Sequence, residues 1–115
     1  MSISQDRECI ELLHGMGDLY RRSGQPQRAL VMLLIAIQLA PTNSALLHSL
    51  VLAFTDSGDT DRAIAALDRL VEQQGESAAL LLLRSRALWK AGRKDDARQC
   101  FRRYLEARRA AQWPS

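Results

Sequence analysis

The sequence predicts an all-α protein built from three helical hairpins arranged in series. Two observations carry that prediction. Gly24, Gly58 and Gly92 stand 34 residues apart, and each is followed five residues later by an alanine, Ala29, Ala63 and Ala97. A period of this size signals stacked repeats, each of which buries its apolar face only against its neighbours. In addition, clusters of turn residues cut the chain into six segments of helical length, none of which alternates polar and apolar residues with period two.

The first segment, 5–22, carries Leu13, Met16, Gly17 and Tyr20 at the spacing of one helix face and stops before Gly24. The second, 26–39, opens on Pro26, whose missing N–H is harmless in a first helical turn, and ends before Pro41. Asn43, Asp59 and Ser77 are good N-cap residues for segments 43–56, 60–74 and 77–91, and Gly75 suits a left-handed position after the fourth. In the last segment, 94–110, Ala97, Cys100, Phe101, Tyr104 and Leu105 form one stripe. Asp95, Arg98, Arg102, Arg103, Glu106 and Arg109 fall mainly outside it, as a solvated outer face. Short connections force consecutive helices to pack antiparallel. The recurring glycine then relieves the turn inside each hairpin, and the alanine sits where two helices approach too closely for a longer side chain.

Bulk composition agrees. A chain of 115 residues with 47% hydrophobic and 25% charged residues has the core of one ordered domain, and 5% aromatics leaves that core to Leu, Ala, Ile and Val. Cys9 and Cys100 lie near opposite ends and are expected to be reduced thiols. No secretory leader is evident, and the longest apolar run, Ala29–Ile37, is too short to span a bilayer. The expectation is a cytoplasmic protein that does not insert into membranes.

The helix–turn–helix unit of 34 residues resembles the tetratricopeptide repeat. Leu13, Met16, Gly17, Tyr20, Ala29, Leu33, Ala36 and Pro41 match its pattern of large and small positions in the first unit, and departures grow toward the third. The resemblance implies one tetratricopeptide-repeat domain over 1–115, with repeats at about 10–43, 44–77 and 78–111. It also implies that the three hairpins form a short right-handed superhelix, with the first helix of each lining a concave groove. On family geometry the groove carries His14, Asp18 and Arg21, then His48, Leu52 and Thr55, then Leu82, Arg86 and Trp89. Leu52, Leu82 and Trp89 are apolar groups that the core does not require at those positions, and such patches favour partner binding. Trp89 has a second reading, in which it packs on the last helix or on the tail around Trp113.

Chemistry beyond binding is not indicated. His14 and His48 fall at equivalent levels of adjacent helices, but two histidines without a third ligand make a poor metal site, and no nucleophile or carboxylate constellation accompanies them. No phosphate-cradling loop appears, so neither metal, cofactor nor catalysis is expected. The arginines of 93–109 are mixed with acids and lack aromatic interleaving, which argues against nucleic acid.

In length, and in the stretches "LYRRSGQPQRALVMLLIAIQLAP" (19–41) and "AGRKDDARQCFRRYLEAR" (91–108), the chain resembles type III secretion chaperones of the SctY (YscY-like) family. That resemblance implies binding of a small exported client of the SctX type, one to one, with the pair engaging the export-gate protein SctV. The alternatives are a class II chaperone for translocator proteins, whose members are usually longer, and a general tetratricopeptide scaffold. The lysine/asparagine clamp of repeat domains that hold heat-shock protein C-termini has no counterpart among His14, His48, Leu82, Asp18, Leu52 and Arg86.

Overall fold

A computed structural model describes residues 3–112. It contains six helices: α1 (Ile3–Arg22), α2 (Pro26–Leu39), α3 (Ser44–Ser57), α4 (Thr60–Gln74), α5 (Ala78–Lys90) and α6 (Lys94–Gln112). No strand occurs among the described residues. Helices α3 and α5 begin one residue after Asn43 and Ser77, because those residues are the caps. The Asn43 side chain accepts from the Leu46 N–H at 3.0 Å, Ser77 from Leu80 at 3.2 Å, and Asp59 from Arg62 at 3.3 Å. Each cap satisfies one of the backbone donors left over at a helix start.

The three hairpin turns are copies of one another. At the end of α1 the Gln25 N–H donates to the Tyr20 carbonyl and the Gly24 N–H to Arg21; Asp59 and Gly58 repeat this on Phe54 and Thr55, and Arg93 and Gly92 on Leu88 and Trp89. This paired arrangement places the glycine in a left-handed conformation, and φ is 75° at Gly24, 87° at Gly58 and 81° at Gly92. The alanine of each repeat closes the same junction: Ala29, Ala63 and Ala97 are all buried. The 34-residue spacing therefore records a backbone requirement at the turn and a steric one just beyond it.

Each hairpin stacks on the last, α3 against α2 and α5 against α4, with α1, α3 and α5 also touching in sequence. The radius of gyration is 15.3 Å, larger than the ~13 Å of a compact domain of this length, and the molecule measures 48 × 34 × 22 Å. The main core runs through the first two hairpins into α5 and is built on Leu33, Leu46, Leu47, Val51, Leu67, Leu70 and Leu80. A smaller cluster of Leu81, Leu88, Ala97 and Cys100 holds the third hairpin together, and Ile64 of α4 packs against both. The stripe expected on α6 is only partly covered. Ala97 and Cys100 are buried and Tyr104 half-buried, but Phe101 and Leu105 are exposed, since no element among the described residues lies over that side of α6.

Candidate functional site

The expected groove residues lie on α1, α3 and α5, and their surroundings differ by row. In the first row, His14 is half-buried, with Nε2 2.8 Å from the Ser49 hydroxyl and 3.4 Å from an Asp18 carboxylate oxygen. It is thus engaged with Ser49 and Asp18, while His48 is exposed. The other Asp18 oxygen and the Arg21 Nε are buried atoms without a hydrogen-bond partner among the described residues. In the second row, Leu52 is half-buried and packs against the main core, which corrects its reading as an apolar group the core does not use. Thr55 is buried and its hydroxyl donates to the Val51 carbonyl at 2.8 Å.

The third row opens into a depression of about 670 Å³ between the end of α3, the outer side of α5 and the first half of α6. Leu82, Ser85, Arg86, Trp89 and Lys90 of α5 form one wall, Ala97, Arg98, Phe101 and Arg102 of α6 the other, and Thr55 and Asp56 close one end. Of the nine expected residues, Thr55, Leu82, Arg86 and Trp89 line this depression; His14, Asp18, Arg21, His48 and Leu52 do not.

Trp89 belongs partly to both of its expected settings. It is 53% exposed, yet Lys94 Nζ sits 5.4 Å and the Arg98 guanidinium carbon 5.9 Å from the ring centroid, so cations of α6 flank the indole. Trp113 lies outside the described residues. Arg98 and Arg102, expected on the outer face of α6, stand in the wall of the depression instead. The helix presents them at its border with α5 because Ala97 and Cys100 are the residues turned into the hairpin core. A sequence signal for this existed: Phe101 is in register with the buried Leu33 and Leu67, which marks that side of α6 as one where another helix ought to pack.

Electrostatically the rim is cationic, with Arg86, Lys90, Arg98 and Arg102 against a single acid, Asp56. Arg98 pairs with Asp95 at 3.1 Å, whereas Arg86, Lys90 and Arg102 have no ion-pair partner among the described residues. Beneath the rim, the Ser85 hydroxyl donates to the Ala97 carbonyl at 3.2 Å and the Cys100 thiol to the Leu81 carbonyl at 3.3 Å, tying α5 to α6. Burial raises the pKa of Cys100, outweighing the lowering effect of nearby Arg84 and Arg103, so the thiol is a structural donor rather than a nucleophile. Cys9 is free and exposed. Among the described residues no three His, Cys, Asp or Glu side chains gather as metal ligands, and no helix is long and apolar enough to cross a membrane.

What the site offers is an apolar floor of Leu82, Trp89 and Phe101 inside a basic rim, a surface suited to a side-chain stripe of a protein partner. No curated protein matches the chain. The model of the tetratricopeptide repeat matches residues 48–112, more than half of the sequence and the whole region that builds the depression. With hairpins, turn geometry and small-residue positions all in a 34-residue register, the chain belongs to the tetratricopeptide repeat family.

Proposed function

We propose that this protein is a cytoplasmic type III secretion chaperone of the SctY kind, a single repeat domain that holds a small exported client of the SctX type and presents it to the export gate SctV. The coarser statement, a protein-binding scaffold, follows from family membership. The chaperone role rests on the resemblance of 19–41 and 91–108 to SctY proteins, and the observation that carries it is the half-exposed Trp89 in the apolar floor of the depression. A free protein keeps such a patch in water at a cost, and a client helix laid on it removes apolar surface from both molecules. Binding then works by exclusion: the client's apolar face is hidden until release, and the chaperone gains stability by mass action.

Co-expression with an SctX-type protein and size exclusion tests the pairing, and the expected result is a stable one-to-one complex. Trp89→Ala should weaken that complex by about 2 kcal/mol, the loss typical of an aromatic anchor, and leave the thermal midpoint of the free chain nearly unchanged. Gln73→Ala, on an exposed position of α4, is the control. Absence of a complex with any SctX-type client, or equal affinity of the Trp89 and Gln73 variants, refutes the assignment.

A further inference from the structure

Among the described residues the third hairpin lacks the cover that the first two have, and the repeat register shows what would supply it. Helix α3 lies over α2 and α5 over α4. Leu33 (0% exposed), which also packs against Gly17 of α1, and Ile37 (8%) are buried in the first hairpin, and Leu67 (0%) is buried and Val71 half-buried in the second. The same positions on α6, one repeat further, are Phe101 and Leu105, and they are 41% and 44% exposed. The face of α6 beside α5 therefore has room for one more helix, and it adjoins the depression already described.

The charges at that seat define its occupant. Where α5 seats on α4, Arg84 donates to Asp68 at 2.8 Å, so this level of the helix–helix seam accepts an ion pair. The residue of α6 in register with Asp68 is Arg102, which reverses the sign, and Arg102 has no ion-pair partner among the described residues. We infer that the seat takes an amphipathic helix from a partner protein, with apolar residues over Phe101 and Leu105 and a carboxylate at the position that Arg84 occupies on α5. Deepening the binding-module reading on which it rests, this names the partner's chemistry: an acidic helix that extends the array rather than a neutral or basic one. A second copy of the chain is a poorer occupant, because the position of α1 in register with Arg84 is Met16, which leaves Arg102 unpaired.

The test is a charge swap with peptides cut from the protein's own repeat. Two probes span residues 77–91, both with Arg86→Gln and Lys90→Gln so that position 84 sets the sign of the helix, one with the native Arg84 and one with Arg84→Glu. Each is titrated by fluorescence anisotropy against the full chain and its Arg102→Glu variant. Arg102 is exposed, so the variant should keep its fold, which circular dichroism verifies. The Arg84→Glu probe should bind the parent about tenfold more tightly than the native probe, and the preference should invert on Arg102→Glu, as expected when like charges are exchanged for opposite ones at a seam. Failure of both probes to bind, or a preference that does not invert, overturns the inference. So does a concentration-dependent dimer in analytical ultracentrifugation that Phe101→Ser abolishes, since a second copy would then own the seat. Inverting preference without any SctX-type complex keeps the acidic-helix seat and removes the chaperone; an SctX-type complex indifferent to Arg102→Glu does the opposite.

Discussion

Two glycines on one helix, two residues apart, should respond to the same substitution with opposite signs. A methyl group added at Gly17 would stand 2.7 Å from both Cγ and Cδ2 of Leu33 and 3.5 Å from the Ala29 carbonyl oxygen. Leu33 is wholly buried, and Cγ is a branch point rather than a mobile tip, so the clash must be absorbed by moving α1 away from α2. Overpacking of this kind costs about 1–3 kcal/mol, against which alanine returns about 1 kcal/mol of helix propensity. Gly17→Ala is then destabilising by about 1 kcal/mol, with about 2 kcal/mol as the upper end. At Gly15 the added methyl meets nothing within 4 Å, and only the propensity term remains. Gly15→Ala should therefore be stabilising by up to about 1 kcal/mol. Thermal melts followed by circular dichroism should separate the two variants by at least about 4 °C, with urea titrations giving the same order. If Gly17→Ala melts at or above Gly15→Ala, the close approach of α1 and α2 at Gly17 is not what holds the first hairpin together.

The junction alanine gives a parallel case: Ala63 is fully buried, and Ala63→Leu should lower stability by roughly 1–3 kcal/mol, read as a shift in the urea midpoint. At the turn itself, Gly58 has φ 87°, so Gly58→Val should cost at least about 1–2 kcal/mol while Gly58→Asn costs clearly less; equal losses would discount the left-handed requirement. Finally, the two thiols should part company under iodoacetamide at neutral pH. Exposed Cys9 alkylates promptly, and buried Cys100, held protonated by its raised pKa, reacts only as the third hairpin opens, which peptide mass mapping against urea can follow.

Most of the fold is legible in the sequence because its determinants are local. A glycine that must be left-handed, an Asn, Asp or Ser that must cap, and an alanine at a close crossing announce themselves one residue at a time. The segments read from them accordingly meet the observed helices to within about two residues at each end. The site is less legible for a geometric reason. A side chain such as Leu52 stands at the border between two faces of its helix, so periodicity alone does not decide whether it lines the groove or packs on the core, as it does. Arg98 and Arg102 stand in the wall of the depression because Ala97 and Cys100 are the residues turned into the hairpin core, and His14 is engaged by Ser49 instead of standing free opposite His48. Periodicity assigns a residue to a face; only packing assigns the face to a neighbour.

The first and last described helices each leave an apolar face uncovered, and the two faces differ in what they select. On α1, Leu12 and Leu19 are exposed, in register with Leu46 and Ala53, which are buried against α2. That face is apolar and names no particular companion. On α6, Phe101 and Leu105 are less exposed than Leu12 and Leu19, and Arg98 and Arg102 border them. Two copies meeting face to face there would set those arginines against their own counterparts, and the repulsion would oppose the apolar gain. An acidic helix meets no such penalty and neutralises the rim as it covers the floor. The basic border therefore does two things with one charge pattern: it keeps the exposed end of the array from pairing with itself and leaves it open to a partner of opposite sign. Because the third hairpin rests on the smaller of the two core clusters, that partner also binds where added contacts matter most to folding. At a concentration of about 100 times its Kd it would contribute about 2.7 kcal/mol.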